Sequence, residues 1–375
     1  MAKKEKRLGA RILVFAIVLV IVTLLVLFGT KLAGGSLRRI VYMIGSGVSG
    51  SAEETTIQFD SNSANRFHAF SGGFAVLSAD GMHIYSMSGK EKSFTALSYH
   101  SPSIAGSKKT VAAYDRNGQS FTILNEKKIL LQQQTDAPII ALSMNRAGAF
   151  STITAGPDCR TRVIAYSSSF QELYKLHSAE QYIIAAPISE DTKRMATLSF
   201  SASGGQFSGQ IGFYRLDQEE PVATVALSDC TPLSALFESN GELTVLCEDR
   251  LLRFSPDGEQ RFEQRFDGLS IANASLAPGG SSVLLDTYQV GGHAKLLLIS
   301  NSGEVQTLPM TEEVLSVSSA GGYTALTFSD RIVVYRADGS EYHTFQLAQG
   351  ARFCLMRDDG TVFAIGANYA TLLIP

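Results

Sequence analysis

The stretch VLSVSSAGGYTALTFSDRIVVYRADGSEYHTFQL, residues 314–347, decides the fold class. Its apolar residues come in four short bursts separated by turn formers. VLSVSS (314–319) reads as an inner strand, Ala320-Gly321-Gly322 as a turn, and YTALTFS (323–329) as a second strand. RIVVYRA (331–337) is the third, Asp338-Gly339 makes a tight turn of the hairpin type, and EYHTFQL (341–347) is the outer strand. The unbroken run IVV suits a strand covered on both faces. The alternation in the last segment suits a strand with one wet face.

The same unit recurs along the chain. Its clearest mark is an apolar run closing on an aromatic or aliphatic residue before a polar turn, as in HIYSMSG (83–89), LLRFSPDG (251–258), LLLISNSG (296–303) and IVVYRADG (332–339). Weaker copies are SFTILNE (120–126), VIAYSSS (163–169) and IGFYRLD (211–217). The closing residues are Tyr85, Ile123, Tyr166, Tyr214, Phe254, Ile299, Tyr335 and Ile374, spaced 38, 43, 48, 40, 45, 36 and 39 apart. A period near 40 with four strands per unit predicts an all-β, eight-bladed β-propeller, with a seven-bladed register as the alternative. SASGGQFSG (201–209) reads as a polar loop protruding from the fourth unit, and KKILLQQQ (127–134) as an exposed outer strand.

The eighth unit has an inner strand ARFCLMR (351–357), then TVFAIGA (361–367) and ATLLIP (370–375), and lacks its outer strand. TTIQFD (55–60) is a strand with no unit of its own. The two are expected to pair, so that an N-terminal strand closes the ring and protects the open sheet edges.

In front of the propeller, residues 12–28 carry no charge, and 12–30 have the length and polarity of one transmembrane helix. Residues 1–11 form a basic leader with five Lys and Arg, which favours a cytoplasmic N-terminus and an extracytoplasmic body in a cell membrane. Residues 31–54 then form a juxtamembrane segment and flexible tether, and 55–375 the ectodomain. Gly45, Gly47 and Gly50 spell GxGxxG, but no strand precedes them and no helical pattern follows, so the tether reading stands.

Residues 1–54 hold eight basic and three acidic residues, leaving 55–375 at net −8. An acidic body repels phosphate backbones and argues against nucleic acid as partner. Cys159, Cys230, Cys247 and Cys354 show no zinc spacing and read as small buried thiols. His68, His83 and His100 share the first unit, whereas His177, His293 and His343 are scattered. Neither group has ligand spacing. Asn273-Ala274-Ser275 matches a glycosylation sequon but starts a predicted inner strand. No nucleophile elbow, P-loop or kinase motif occurs, so the sequence points to no catalytic, cofactor-binding or metal residues.

The closing motifs, together with SLAPGGSSVLL (275–285) and PISEDTKRMATL (187–198), resemble those of extracytoplasmic β-propellers of the quinoprotein-like and tryptophan-aspartate-repeat-like superfamily. The resemblance extends to the single-pass membrane propellers of Gram-positive bacteria. It implies a propeller held outside the cell. It implies no quinone here, because the chain has no Trp, the residue on which quinoprotein blades dock. The expected function is a non-catalytic binding or scaffolding module for a protein, a peptide or an envelope glycan. The alternative is a hydrolase or lyase with residues converging on the central channel, for which Asn145, Arg146, Glu190, Asp191, Arg357 and Asp358 are candidates by position.

Overall fold

In the computed structural model the described residues are 55–156, 158–203, 206–227, 230–287, 294–347 and 350–375, with the side chains of 202, 203, 206 and 207 left aside. The leader, the expected membrane span at 12–30, the tether with its GxGxxG and His293 all lie outside them. Among the described residues there is no helix, and hence none long and apolar enough to cross a membrane.

Each apolar burst becomes a strand paired antiparallel with its neighbour in sequence, because connections of two to eight residues within a blade leave no other partner within reach. The result is eight four-stranded sheets. Blade one runs Arg66–Phe70, Gly73–Leu77, Gly81–Ser86 and Glu91–Ala96. Blades two to seven follow over residues 102–134, 139–178, 182–227, 232–265, 270–310 and 316–346. Blade eight is built from Phe353–Met356, Val362–Ile365 and Tyr369–Leu373, with Thr55–Gln58 as its fourth strand. Thr55 lies opposite Leu372 and Gln58 opposite Tyr369, while Phe59 N–H donates to Asn368 O at 2.9 Å.

Burial follows position in the blade. Second and third strands such as Leu243–Cys247 and Arg250–Phe254 are buried throughout, being sandwiched between neighbouring blades. Outer strands such as Gln260–Arg265 alternate between exposed and half-buried. The core is a series of layers, each drawn from consecutive blades. One layer joins Ala75, Met82 and Ile84 of blade one to Val111, Ala113 and Leu124 of blade two. Another joins Ile332 and Val334 of blade seven to Val362 and Leu373 of blade eight. Between blades eight and one the contact is aromatic, with Phe74 and Phe363 at 4.6 Å and Phe67 and Phe353 at 5.3 Å. Full burial of Phe74 and Phe363 contributes about 1.5–3 kcal/mol each by removing them from water.

Two expectations are refined. The Asp-Gly turns end on a left-handed glycine: Gly258 (φ 87°) and Gly339 (φ 80°) donate to Ser255 O and Arg336 O, and the strands resume one residue out of step. Residues 201–203 and 206–209 lie in strands and not in a loop. Arg194–Ser203 and Gln206–Arg215 pair along ten residues each, from Arg194 opposite Arg215 to Ser203 opposite Gln206, so a hairpin extends beyond the blade. Alternation of Ser and Gly with Ala and Phe, read as loop polarity, is also the period of a strand with one wet face.

Candidate functional site

The first strand of every blade runs in the same sense around the ring, so the turns leading out of these strands collect at one mouth of the central channel. Polar residues are frequent in these turns, where the chain leaves the sheet and backbone groups need partners. Four hydrogen bonds tie turns of blades eight, one, two, three and four in sequence. Arg357 Nη2 donates to Ser71 O at 3.2 Å, and Ser71 N–H to Lys108 O at 2.8 Å. Lys108 N–H donates to Arg146 O at 3.3 Å, and Arg146 N–H to Glu190 Oε1 at 3.0 Å.

Within this arc the side chains converge on one carboxylate. Arg146 Nη2 and Lys108 Nζ both contact Asp358 Oδ2, the lysine at 3.3 Å. Asp359 accepts from Arg357 at 3.2 Å and from Thr361. These residues border a concavity of about 510 Å³ whose wall includes His68 and Phe70. A second concavity of about 520 Å³ adjoins it, between Lys108, Arg146, Glu190 and Ser239. His68 Nε2 donates to Ser107 O at 2.9 Å, and burial lowers the His68 pKa below 6.5 against the raising effect of that bond. Neutral His68 then donates through Nε2.

Of the positional candidates, Arg146, Arg357, Asp358 and Glu190 are brought to this mouth. Asn145 and Asp191 instead hold turns together: Asn145 Oδ1 accepts from Ala149 N–H within its own turn and Asn145 Nδ2 donates to Ser189 O of blade four, while Asp191 accepts from Ser189 Oγ and Lys193 N–H. The three first-unit histidines are dispersed. His83 lies between Asp80 and Glu91 on the outer part of blade one, and the exposed His100 approaches Asp115 at 3.8 Å. Among the described residues no group of three His, Cys, Asp or Glu has metal-holding geometry.

Sequence reasoning missed Lys108, His68 as part of the wall, and a buried polar tie behind the mouth. Superposing the ends of the first strands would have found Lys108, which follows SIAGS as Arg146 follows LSMN. The tie is Glu238, which accepts from Thr244 Oγ1 at 2.8 Å and Gly279 N–H at 3.3 Å. Beside it Arg253, only 2% exposed, donates to Asn301 O and Ser300 O of blade six. Burial holds the Glu238 carboxyl above its ordinary value of 4.5, outweighing Thr244 and Arg253.

Residues 48–269, more than half of the chain, match the sequence family described as "Family of unknown function (DUF5711)". The chain belongs to the DUF5711 family. The match covers the tether end and the first five blades, including Lys108, Arg146 and Glu190 of the mouth. No curated protein matches this DUF5711 chain in sequence. Among solved structures it is similar to BamB from Moraxella catarrhalis, with a TM-score of 0.53 and 12% identity, covering 85% of this chain and 98% of that one. It is also similar to the C-terminal WD40 domain of Sif2, with a TM-score of 0.59 and 12% identity, covering 86% and 98%. At that identity the DUF5711 protein shares a propeller fold with them.

Proposed function

We propose that this DUF5711 protein is a binding or scaffolding module that takes a protein or peptide partner at the channel mouth formed by the turns after the first strands. The observation that carries the reading is the state of the charges there. Every carboxylate named at the mouth already has a cation or an N–H: Asp358 has Arg146 and Lys108, Asp359 has Arg357, and Glu190 has the Arg146 amide. Paired ionised groups of both signs suit exchange of ion pairs with a partner, since complementary charge sets orientation and on-rate. General acid catalysis asks for a carboxyl pushed upward in an apolar pocket. Glu238 is pushed upward, but it is 1% exposed and spent on Thr244 and Gly279.

In this reading residues 12–30 cross a cell membrane once, with 1–11 on the cytoplasmic side and 31–54 tethering an extracytoplasmic propeller of the Gram-positive single-pass type. The tether enters at Thr55–Gln58, which closes the ring. The apolar run 12–28 and its basic leader support the placement.

The test is site-specific photo-crosslinking in intact cells from Lys108, Arg146 or Asp358, with Phe94 on the outer strand of blade one as the control position. The expected result is one protein adduct from the mouth positions and none from Phe94. Adducts from Phe94 alone, or retention of the purified chain on envelope glycan without a protein adduct, would overturn the proposal.

A further inference from the structure

Cys230 stands in the link entering blade five, and Cys247 ends that blade's second strand, Leu243–Cys247. The Cys230 thiol donates toward Cys247 Sγ at 3.2 Å, and both side chains are buried, at 8% and 0% exposure. The backbone fixes this approach. Pro232 lies opposite Cys247 in the ladder, and Glu248 N–H donates to Thr231 O at 3.0 Å, so the link is bonded to the second strand right beside the pair. Both cysteines belong to one buried apolar cluster with Leu227, Phe237, Val245 and Leu252. The other two cysteines differ: Cys354 is near Ser316 Oγ at 3.9 Å, and Cys159 faces His177 Nδ1 at 3.9 Å.

We propose that Cys230 and Cys247 are a disulfide-forming pair that locks the link into blade five onto the second strand of that blade. Bonded sulfurs lie about 2.05 Å apart, so closure asks for roughly 1.1 Å of approach, within the reach of side-chain rotation. The oxidant is a small disulfide. One cysteine, as thiolate, attacks a sulfur of that disulfide, expels one thiolate and leaves a mixed disulfide; the second cysteine, as thiolate, then displaces the other half. The protein loses two electrons and two protons, and the oxidant departs as two thiols. Burial pushes the Cys247 thiol far up and keeps it protonated in the folded blade, so the exchange belongs to folding, while the blade is still open.

The purified full-length chain, reduced and unfolded in urea, is refolded in oxidised and reduced glutathione, quenched with acid and alkylated with a maleimide. Peptide mass spectrometry should find Cys230 joined to Cys247, with maleimide on Cys159 and Cys354. Maleimide on Cys230 and Cys247, or bridges to Cys159 or Cys354, would overturn the assignment. The thermal midpoint of the oxidised wild type should fall when reductant is added, and that of a C159S/C354S variant should fall equally. A wild-type midpoint indifferent to reductant would refute the lock without recourse to a Cys247 variant that misfolds.

Discussion

Arg146 pairs with Asp358 across 212 positions of sequence and from blades that are not neighbours, the third and the eighth. Lys108 of blade two shares the same carboxylate oxygen. One carboxylate thus gathers three blades at the channel mouth, on top of the turn-to-turn hydrogen bonds that already join them. Such a bridge organises the channel mouth more than it holds the ring together.

That distinction can be measured. Arg146 and Asp358 side chains are 27% and 42% exposed, so solvent screens the pair, and exposed ion pairs contribute about 0–1 kcal/mol. Asp358→Asn should lower the stability read from urea unfolding by less than about 1 kcal/mol. The mouth crosslinks should meanwhile drop several-fold. A large loss of stability would make the bridge a structural strut.

The wall beside it is tightly fitted. A methyl group on Gly106 would sit 2.2 Å from His68 Nε2, and the ring has little room, with Ser107 O on one side and Phe70 stacked at 6.3 Å. Gly106→Ala should therefore cost about 1–3 kcal/mol, as overpacking does. In a His68→Ala background the same substitution should be close to neutral. Urea midpoints of the four proteins give the coupling, and additive costs would refute the contact.

Much of this architecture was legible in residues 55–375 because strand-turn-strand units are local: each strand pairs with the next, and the Asp-Gly and Ser-Gly turns mark the joints. The terminal strand and Thr55–Gln58 could be matched because each lacked a neighbour in its own unit. The strand ends at 201–203 and 206–209 contradict the loop expected over 201–209, because polar small residues serve both loops and wet strands. The mouth was half legible. Arg146, Arg357 and Asp358 stood out as charges after an inner strand, whereas Asn145 and Asp191, alike by position, are spent on turn hydrogen bonds, the buried Asn145 also reaching the turn of blade four. Nothing in LLRF marks Arg253 as buried, and only the carbonyls of blade six, 47 and 48 residues on, explain its burial.

Two groups should give the stability opposite pH slopes. Glu238 has a folded pKa above the unfolded 4.5, so its contribution is complete below 4.5 and is withdrawn as pH rises through the folded value. His68 has a folded pKa below the unfolded 6.5, so its contribution is complete above 6.5 and is withdrawn as pH falls. Glu238→Gln should accordingly gain on the wild type between pH 4.5 and neutrality. His68→Gln should lose its disadvantage as pH drops below 6.5. Urea unfolding at stepped pH checks both, and slopes unchanged in either variant would mean that the group titrates alike folded and unfolded.

The joint in blade eight carries the sharpest test of ring closure. Ile57 is 1% exposed and opposite Ala370, and Thr56 Oγ1 meets Thr371 Oγ1 at 3.1 Å. Ile57→Ala removes buried apolar volume from a strand of four residues and should cost about 2–4 kcal/mol. Leu131→Ala, on the half-buried outer strand of blade two, supplies the comparison and should cost less, since that strand stays attached through its own hairpin. Ile57 has no such hairpin: its strand is joined to Tyr369–Leu373 by hydrogen bonds and packing alone. Local opening there should therefore show as faster amide exchange at Ala370 and Leu372, the strand left as a free edge, before the other blades respond. Equal protection of Leu372 in wild type and Ile57→Ala would mean that the eighth blade keeps its integrity without the entering strand.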